Sequence, residues 1–164
     1  MQKIIVIGCP GSGKSYFSKE LHKITSLPLF HLDMMFWNPD KTTVGKAVFL
    51  NRLCEVLQQP EWIIDGNYES SMEARLKACD TVFFLDYPLE VCLNGIRERK
   101  GKPRTDIPWV ETETDEEFLE FIRNYNAENR PKVISRLEKC SDKEVYIFKS
   151  REESKGFLES LKCR

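Results

Sequence analysis

Lys14 and Ser15 close the run Gly8-Cys9-Pro10-Gly11-Ser12-Gly13-Lys14-Ser15, which fits Gly-x-x-x-x-Gly-Lys-Ser/Thr without a gap. The chemistry of such a run is polyphosphate binding. Glycines at 8, 11 and 13 let the backbone take positive φ and turn its N–H groups inward, where they can hold phosphate oxygens. Lys14 adds a mobile positive charge, and the Ser15 hydroxyl is of the right kind and position to bind a Mg²⁺ that bridges the outer phosphates. Average residue usage makes such a match in a chain of this length a chance event of about one in a hundred or less.

Phosphoryl chemistry also needs carboxylates. One orients the metal through its water shell, and a second can receive the proton of an attacking hydroxyl. Asp33, Asp65 and Asp86 each follow a short apolar run: Leu29-Phe30-His31-Leu32, Trp62-Ile63-Ile64 and Thr81-Val82-Phe83-Phe84-Leu85. Asp65 and Asp86 both qualify for the metal, Asp33 is the further strand-end candidate, and each can alternatively cap nearby backbone N–H groups. His31 lies one strand step from Asp33 on the same face.

The elements that must position these groups follow from the hydrophobic pattern. Ile4-Ile5-Val6-Ile7 is a continuous apolar run, as in a parallel strand buried on both faces, and Phe17, Leu21 and Ile24 recur at helical spacing after the loop. Phosphates would therefore sit at a helix N-terminus, where the macrodipole favours anions. Strands are predicted over 29–33, 62–66, 81–86 and 145–148, with helices over about 44–57, from Asn67-Tyr68 through Leu76, over 89–100, from residue 114 on, and over 154–161. Val48, Leu53, Val56 and Leu57 can form the apolar face of the second helix, and Gly101 a C-cap. Thr114 and Glu117 form a capping box, and Pro131 should kink or restart the helix behind it. Strands alternating with helices imply a five-stranded parallel sheet covered on both faces, an α/β fold. Open parallel sheets bind ligands beyond the carboxyl ends of their strands, where the aspartates lie.

With 164 residues, 41% hydrophobic and 31% charged, the chain is expected to form one soluble domain, residues 1–164. A net charge of −1 argues against a dedicated nucleic-acid surface, and the lack of any leader or membrane-spanning run points to the cytoplasm and no membrane partner. The six cysteines lack the close spacing of zinc or dithiol sites. Cys9 stands in the anion-binding loop, where N–H dipoles and Lys14 can stabilise its thiolate, although an inert buried thiol fits as well. Arg97, Arg99, Lys100, Lys102 and Arg104 crowd a stretch bounded by Pro103 and Pro108 without apolar period, as expected of a mobile basic loop.

Gly8 to Ser15, His31-Leu32-Asp33, Asp65-Gly66-Asn67-Tyr68, Leu85-Asp86-Tyr87-Pro88 and the basic loop up to Pro108 together resemble the adenylate-kinase-like P-loop proteins called DNA topology modulation proteins. The resemblance spans most of the chain. It implies a sheet of nucleoside monophosphate kinase type, ATP and Mg²⁺ as cofactors, and a lid at about 98–114 that brings arginines to the phosphates. ATP would be held by Gly8, Pro10, Gly11, Ser12, Gly13, Lys14, Ser15 and Tyr16. The metal would lie at Ser15 and Asp65, since the Asp-Gly pair after the third strand favours Asp65 over Asp86. Lys14, Asp33, Asp65, Arg99 and Arg104 are then the expected catalytic residues, with Arg123 and Arg130 further candidates facing the lid. A second arginine, which the resemblance implies one helical turn before Arg99, is Gly95 here, and Arg97 is the nearest substitute.

Two functions follow. One is a kinase acting on a small-molecule or nucleotide acceptor, for which Lys41, Lys46 and Arg52 are the available cations, and Met34, Phe36 and Trp37 either a stacking wall or satellite core. The other is an ATP-binding regulatory protein that touches DNA, or a DNA-bound partner, through the basic stretch.

Overall fold

The computed structural model describes residues 1–113 and 115–163. Its five strands are β1 (Lys3–Gly8), β2 (Leu29–His31), β3 (Trp62–Asp65), β4 (Thr81–Leu85) and β5 (Glu144–Phe148), all parallel, in the order β2-β3-β1-β4-β5. The helices are α1 (Lys14–Thr25), α2 (Leu32–Phe36), α3 (Lys46–Leu57), α4 (Glu69–Ala78), α5 (Leu89–Arg99), α6 (Glu116–Glu128), α7 (Arg130–Leu137) and α8 (Arg151–Lys162).

Strand alternation sorts the core into two layers. Ile4 and Val6 of β1 face a cluster with Phe17 and Leu21 of α1, Cys92 and Ile96 of α5, Ile122 and Tyr125 of α6, and Leu158 of α8. Ile5 and Ile7 face the other way, onto Phe49 and Leu53 of α3, Met72 and Leu76 of α4, and Val133 and Leu137 of α7. Covered on both faces, β1, β3 and β4 are buried throughout but for the first residue of β1, as their unbroken apolar runs require.

Several expectations shift. The second strand stops at His31, and Leu32 opens the short helix α2, so Asp33 lies in a first helical turn and not at a strand end. The switch buries Leu32 completely under Gly66. On α3 the inward residue is Phe49, while Val48 is exposed, because the face passing through Leu53 and Val56 takes up Phe49 at i−4 and i−7. The predicted cap Thr114 lies outside the described residues. Asp115 is the N-cap of α6, accepting from the Glu117 N–H at 3.1 Å. Pro131 does restart the chain, as α6 ends at Glu128 and α7 opens around it.

Candidate active site

The loop from Cys9 to Gly13 joins the end of β1 to the start of α1. Gly11 takes φ 82°, and a Cβ there would stand 2.0 Å from the Cys92 carbonyl oxygen of α5, so only glycine fits. Gly95 of α5 is its counterpart. A Cβ at 95 would meet the Gly11 oxygen at 2.0 Å, which is why no arginine stands at this position. Arg97 lies exposed and donates to Asn94.

Lys14 folds back over the loop, and its Nζ donates to the carbonyl oxygens of Gly8 at 2.9 Å and Cys9 at 3.2 Å. Burial lowers its proton affinity, while the carboxylates of Asp65 and Asp33 restore part of it. Asn67 braces the same strand end from across the sheet, accepting from the Gly8 N–H at 3.2 Å and donating to the Gly8 oxygen at 2.8 Å. Tyr16 points to solvent from the first turn of α1, and Pro10 lies half-buried in the turn. The Cys9 thiol is buried and pushed far up, first by a hydrogen bond with Cys92 and then by burial, so it is no thiolate.

The carboxylates separate into distinct settings. Asp65 is 4% exposed, its Oδ1 is 2.9 Å from His31 Nδ1, and its Oδ2 is buried without a partner. Asp33 accepts from the Tyr68 hydroxyl at 2.6 Å, and burial above all holds its carboxyl above the usual range. Asp86 is a structural anchor. Arg130 donates to it from Nε at 2.7 Å and Nη2 at 2.8 Å, and Lys149 adds a third contact. Arg130 is therefore committed to Asp86, and Arg123 stays exposed beside Glu116 and Glu120.

The segment after α5 is no loose basic loop. Arg99 Nη2 donates to Glu111 Oε1 at 3.0 Å, Arg104 Nη1 donates to Glu111 Oε2 at 2.7 Å, and the Gly101 N–H donates to the Glu111 carbonyl at 2.6 Å. Arg104 also grips Asp106 with Nε at 3.1 Å and Nη2 at 2.5 Å. Asp106 in turn accepts from the Ser15 hydroxyl at 2.6 Å, and Ile107 beside it is buried. Trp109 meets Trp37 edge-on, with ring centroids 5.6 Å apart. Trp37 also packs on Phe36, which with Met35 joins the core, whereas Met34 is exposed.

Sequence reasoning missed two residues here. Asp106 had a faint signal, a carboxylate two residues past Arg104 and followed by an apolar residue. Arg75 had none. Fully buried on α4, it donates to the carbonyls of Gly66 at 2.8 Å and Tyr68 at 3.2 Å, and to that of Asn67, stapling the turn after Asp65. Burial lowers its pKa to about 10, so the guanidinium stays charged at neutral pH. Of the remaining cations, Arg52 donates to the Met35 carbonyl at 2.9 Å, and Lys41 and Lys46 are exposed.

The donor set suits a hard divalent cation. Ser15 Oγ and the unpartnered Asp65 Oδ2 are hard oxygens. Among the described residues no three His, Cys, Asp or Glu side chains form a ready cage. Mg²⁺ needs none, since it is commonly held by one or two protein oxygens together with phosphates and water.

The sequence matches no known protein family and no curated protein. Solved structures do match. A shikimate kinase from Acinetobacter baumannii in complex with shikimate aligns at TM-score 0.63 and 15% identity, over 98% of this chain and 90% of that one. The shikimate kinase of Aquifex aeolicus gives 0.57 and 22%, covering 98% and 96%. A deoxyadenosine kinase from M. mycoides with dCMP and dCDP bound gives 0.52 and 18%, covering 96% and 95%. This chain has the fold of the P-loop kinases, a five-stranded parallel sheet flanked by helices.

Proposed function

We propose that this chain is an ATP- and Mg²⁺-dependent phosphotransferase that moves the γ-phosphoryl group of ATP to a small-molecule or nucleotide acceptor. One observation carries the reading: the segment after α5 lies on the P-loop, so that Arg104 and Asp106 stand over Ser15 beside Lys14. Phosphoryl transfer has little covalent chemistry for a protein to do and depends on positioning and charge, which these groups supply. The neighbouring folds support it, being kinases seen with shikimate in one case and with nucleotides in another.

In this reading the loop N–H groups and Lys14 bind the phosphates, exchanging the contacts Lys14 makes with Gly8 and Cys9. Ser15 and Asp65 would hold Mg²⁺, whose charge would offset that of the phosphate oxygens. Asp33 receives the proton of the acceptor hydroxyl, a task that suits a carboxylate whose basicity burial has raised. Arg99 and Arg104 serve as lid arginines, planar donors able to hold two phosphate oxygens at once. The segment from about 98 to 114 is the lid of a single domain working in the cytoplasm. Among the described residues no helix is long and apolar enough to cross a membrane. Kinship with the DNA topology modulation proteins belongs to the same proposal and rests on the quoted motifs alone. The rival DNA-contacting role would draw on Arg97, Lys100 and Lys102, the exposed cations of the same basic stretch.

The test is an acceptor screen that follows ADP release from Mg-ATP over nucleosides, nucleoside monophosphates and small polyols. ADP formed only when an acceptor is present supports the kinase. DNA retention with a steep salt dependence and no acceptor-dependent ADP would support the rival.

A further inference from the structure

A serine hydroxyl has one proton to donate and two lone pairs to offer. In Ser15 the proton is already placed: it points at Asp106 Oδ2, 2.6 Å away and 91 residues further along the chain. Asp106 is 3% exposed and gripped by both Nε and Nη2 of Arg104, which Glu111 orients in turn. Burial works to protonate it, but Arg104 and Ser15 outweigh burial and hold it well below the usual carboxylate range. The strand-end carboxylate of Asp65 makes no such contact, since its Oδ1 lies against His31 and its Oδ2 has no partner.

We propose that Asp106 is a positioning residue of the metal site: by accepting the Ser15 proton it turns the hydroxyl lone pairs toward the cation, so the site is complete only while the segment around Asp106 lies on the P-loop. The inference rests on the phosphotransferase reading and deepens it. Metal affinity becomes coupled to the seating of the lid, which ties cation capture to the arrival of Arg104. One consideration favours positioning over blockade. The hydrogen bond uses only the proton of Ser15 and leaves its oxygen free to bind a metal, and an outer carboxylate makes a ligand oxygen more basic.

The experiment compares wild type, Asp106→Ala and Asp106→Asn by thermal melting with ATP, first in EDTA and then across a Mg²⁺ titration, with Mn²⁺ binding to the ATP complex followed by electron paramagnetic resonance. Losing an outer-shell partner typically costs about 10- to 100-fold in metal affinity. Asp106→Ala should therefore raise the Mg²⁺ and Mn²⁺ midpoints at least about tenfold while leaving the shift in EDTA unchanged. Asp106→Asn, whose amide oxygen still accepts from Ser15, should fall between and keeps the test open if the alanine variant does not fold. A wild type unmoved by ATP, matching Lys14→Ala, would overturn the phosphotransferase reading and this inference together. With ATP binding intact, three results would overturn the inference alone: unchanged metal midpoints, a lower melting temperature without nucleotide as the sole effect, or tighter ATP binding with and without metal.

Discussion

Lys14 Nζ lies 2.9 Å from the carbonyl oxygen of Gly8, so the lysine of the loop closes back onto the strand end that launches it. It packs against loop carbonyls and not into either apolar cluster. Lys14→Ala should therefore keep the fold and lose productive ATP use. A ligand at 100 times its dissociation constant stabilises by about 2.7 kcal/mol, and melting with Mg-ATP should show a shift of that size in wild type and little in the mutant. Equal shifts would contradict the assignment.

Asp65 and Asp86 end neighbouring apolar runs yet should behave in opposite ways. Asp65→Asn should depress turnover strongly, because the proposed Mg²⁺ site uses its unpartnered Oδ2. Asp86→Asn should spare turnover and cost roughly 1–3 kcal/mol of stability through the charged hydrogen bonds to Arg130 and Lys149. Burial lifts the Asp86 carboxyl, but those two cations outweigh it and leave its folded pKa below the unfolded value. Its stabilising effect is thus full above the ordinary aspartate pKa and is lost as pH falls through the lower folded value. Denaturant titrations of both proteins should show the gap closing in acid, and a gap constant with pH would refute the anchoring role.

Arg75→Met is expected to destabilise by roughly 3 kcal/mol, since the carbonyls of Gly66, Asn67 and Tyr68 lose their buried donor together. Arg75→Lys should recover little of this, as an ammonium cannot copy the planar fork. Urea unfolding of the two variants measures it, and full rescue by lysine would mean that charge alone matters.

Arg104→Ala should lower kcat far more than it weakens ATP binding, because a contact made to the transferring group is stronger in the transition state. For an arginine bearing directly on that group the loss is on the order of a thousandfold. Lys102→Ala, an exposed change of equal charge, is the control. Single-turnover transfer at the wild-type rate in Arg104→Ala would remove its lid role.

Much of this architecture is local and therefore legible in the sequence. Unbroken apolar runs mark doubly covered strands, 3.6-residue periods mark the helices against them, and Gly11 and Gly13 announce a backbone that only glycine takes without strain. The errors are also local in origin. A run such as Leu29 to Asp33 is apolar enough for a strand, yet its end opens a helix whose first residue, Leu32, is buried against Gly66, a contact made only in the folded chain. The choice of Phe49 over Val48 likewise depends on which neighbour fills the space beside Tyr68 and Phe36.

What the tertiary structure alone decided is the pairing of charges. Asp86 with Arg130, Arg104 with Glu111 and Asp106, and Asp106 with Ser15 are pairs whose partners nothing in the sequence names, even where one member stood out as a candidate, and Arg75 and Asp106 look in sequence like ordinary solvated residues. Charge carries no periodicity that names its partner, and the energy of a pair depends on burial and distance, which exist only once the chain has closed over them. Lys14 and Ser15 were therefore evident from spacing, whereas the carboxylate that holds the Ser15 proton was settled by the fold.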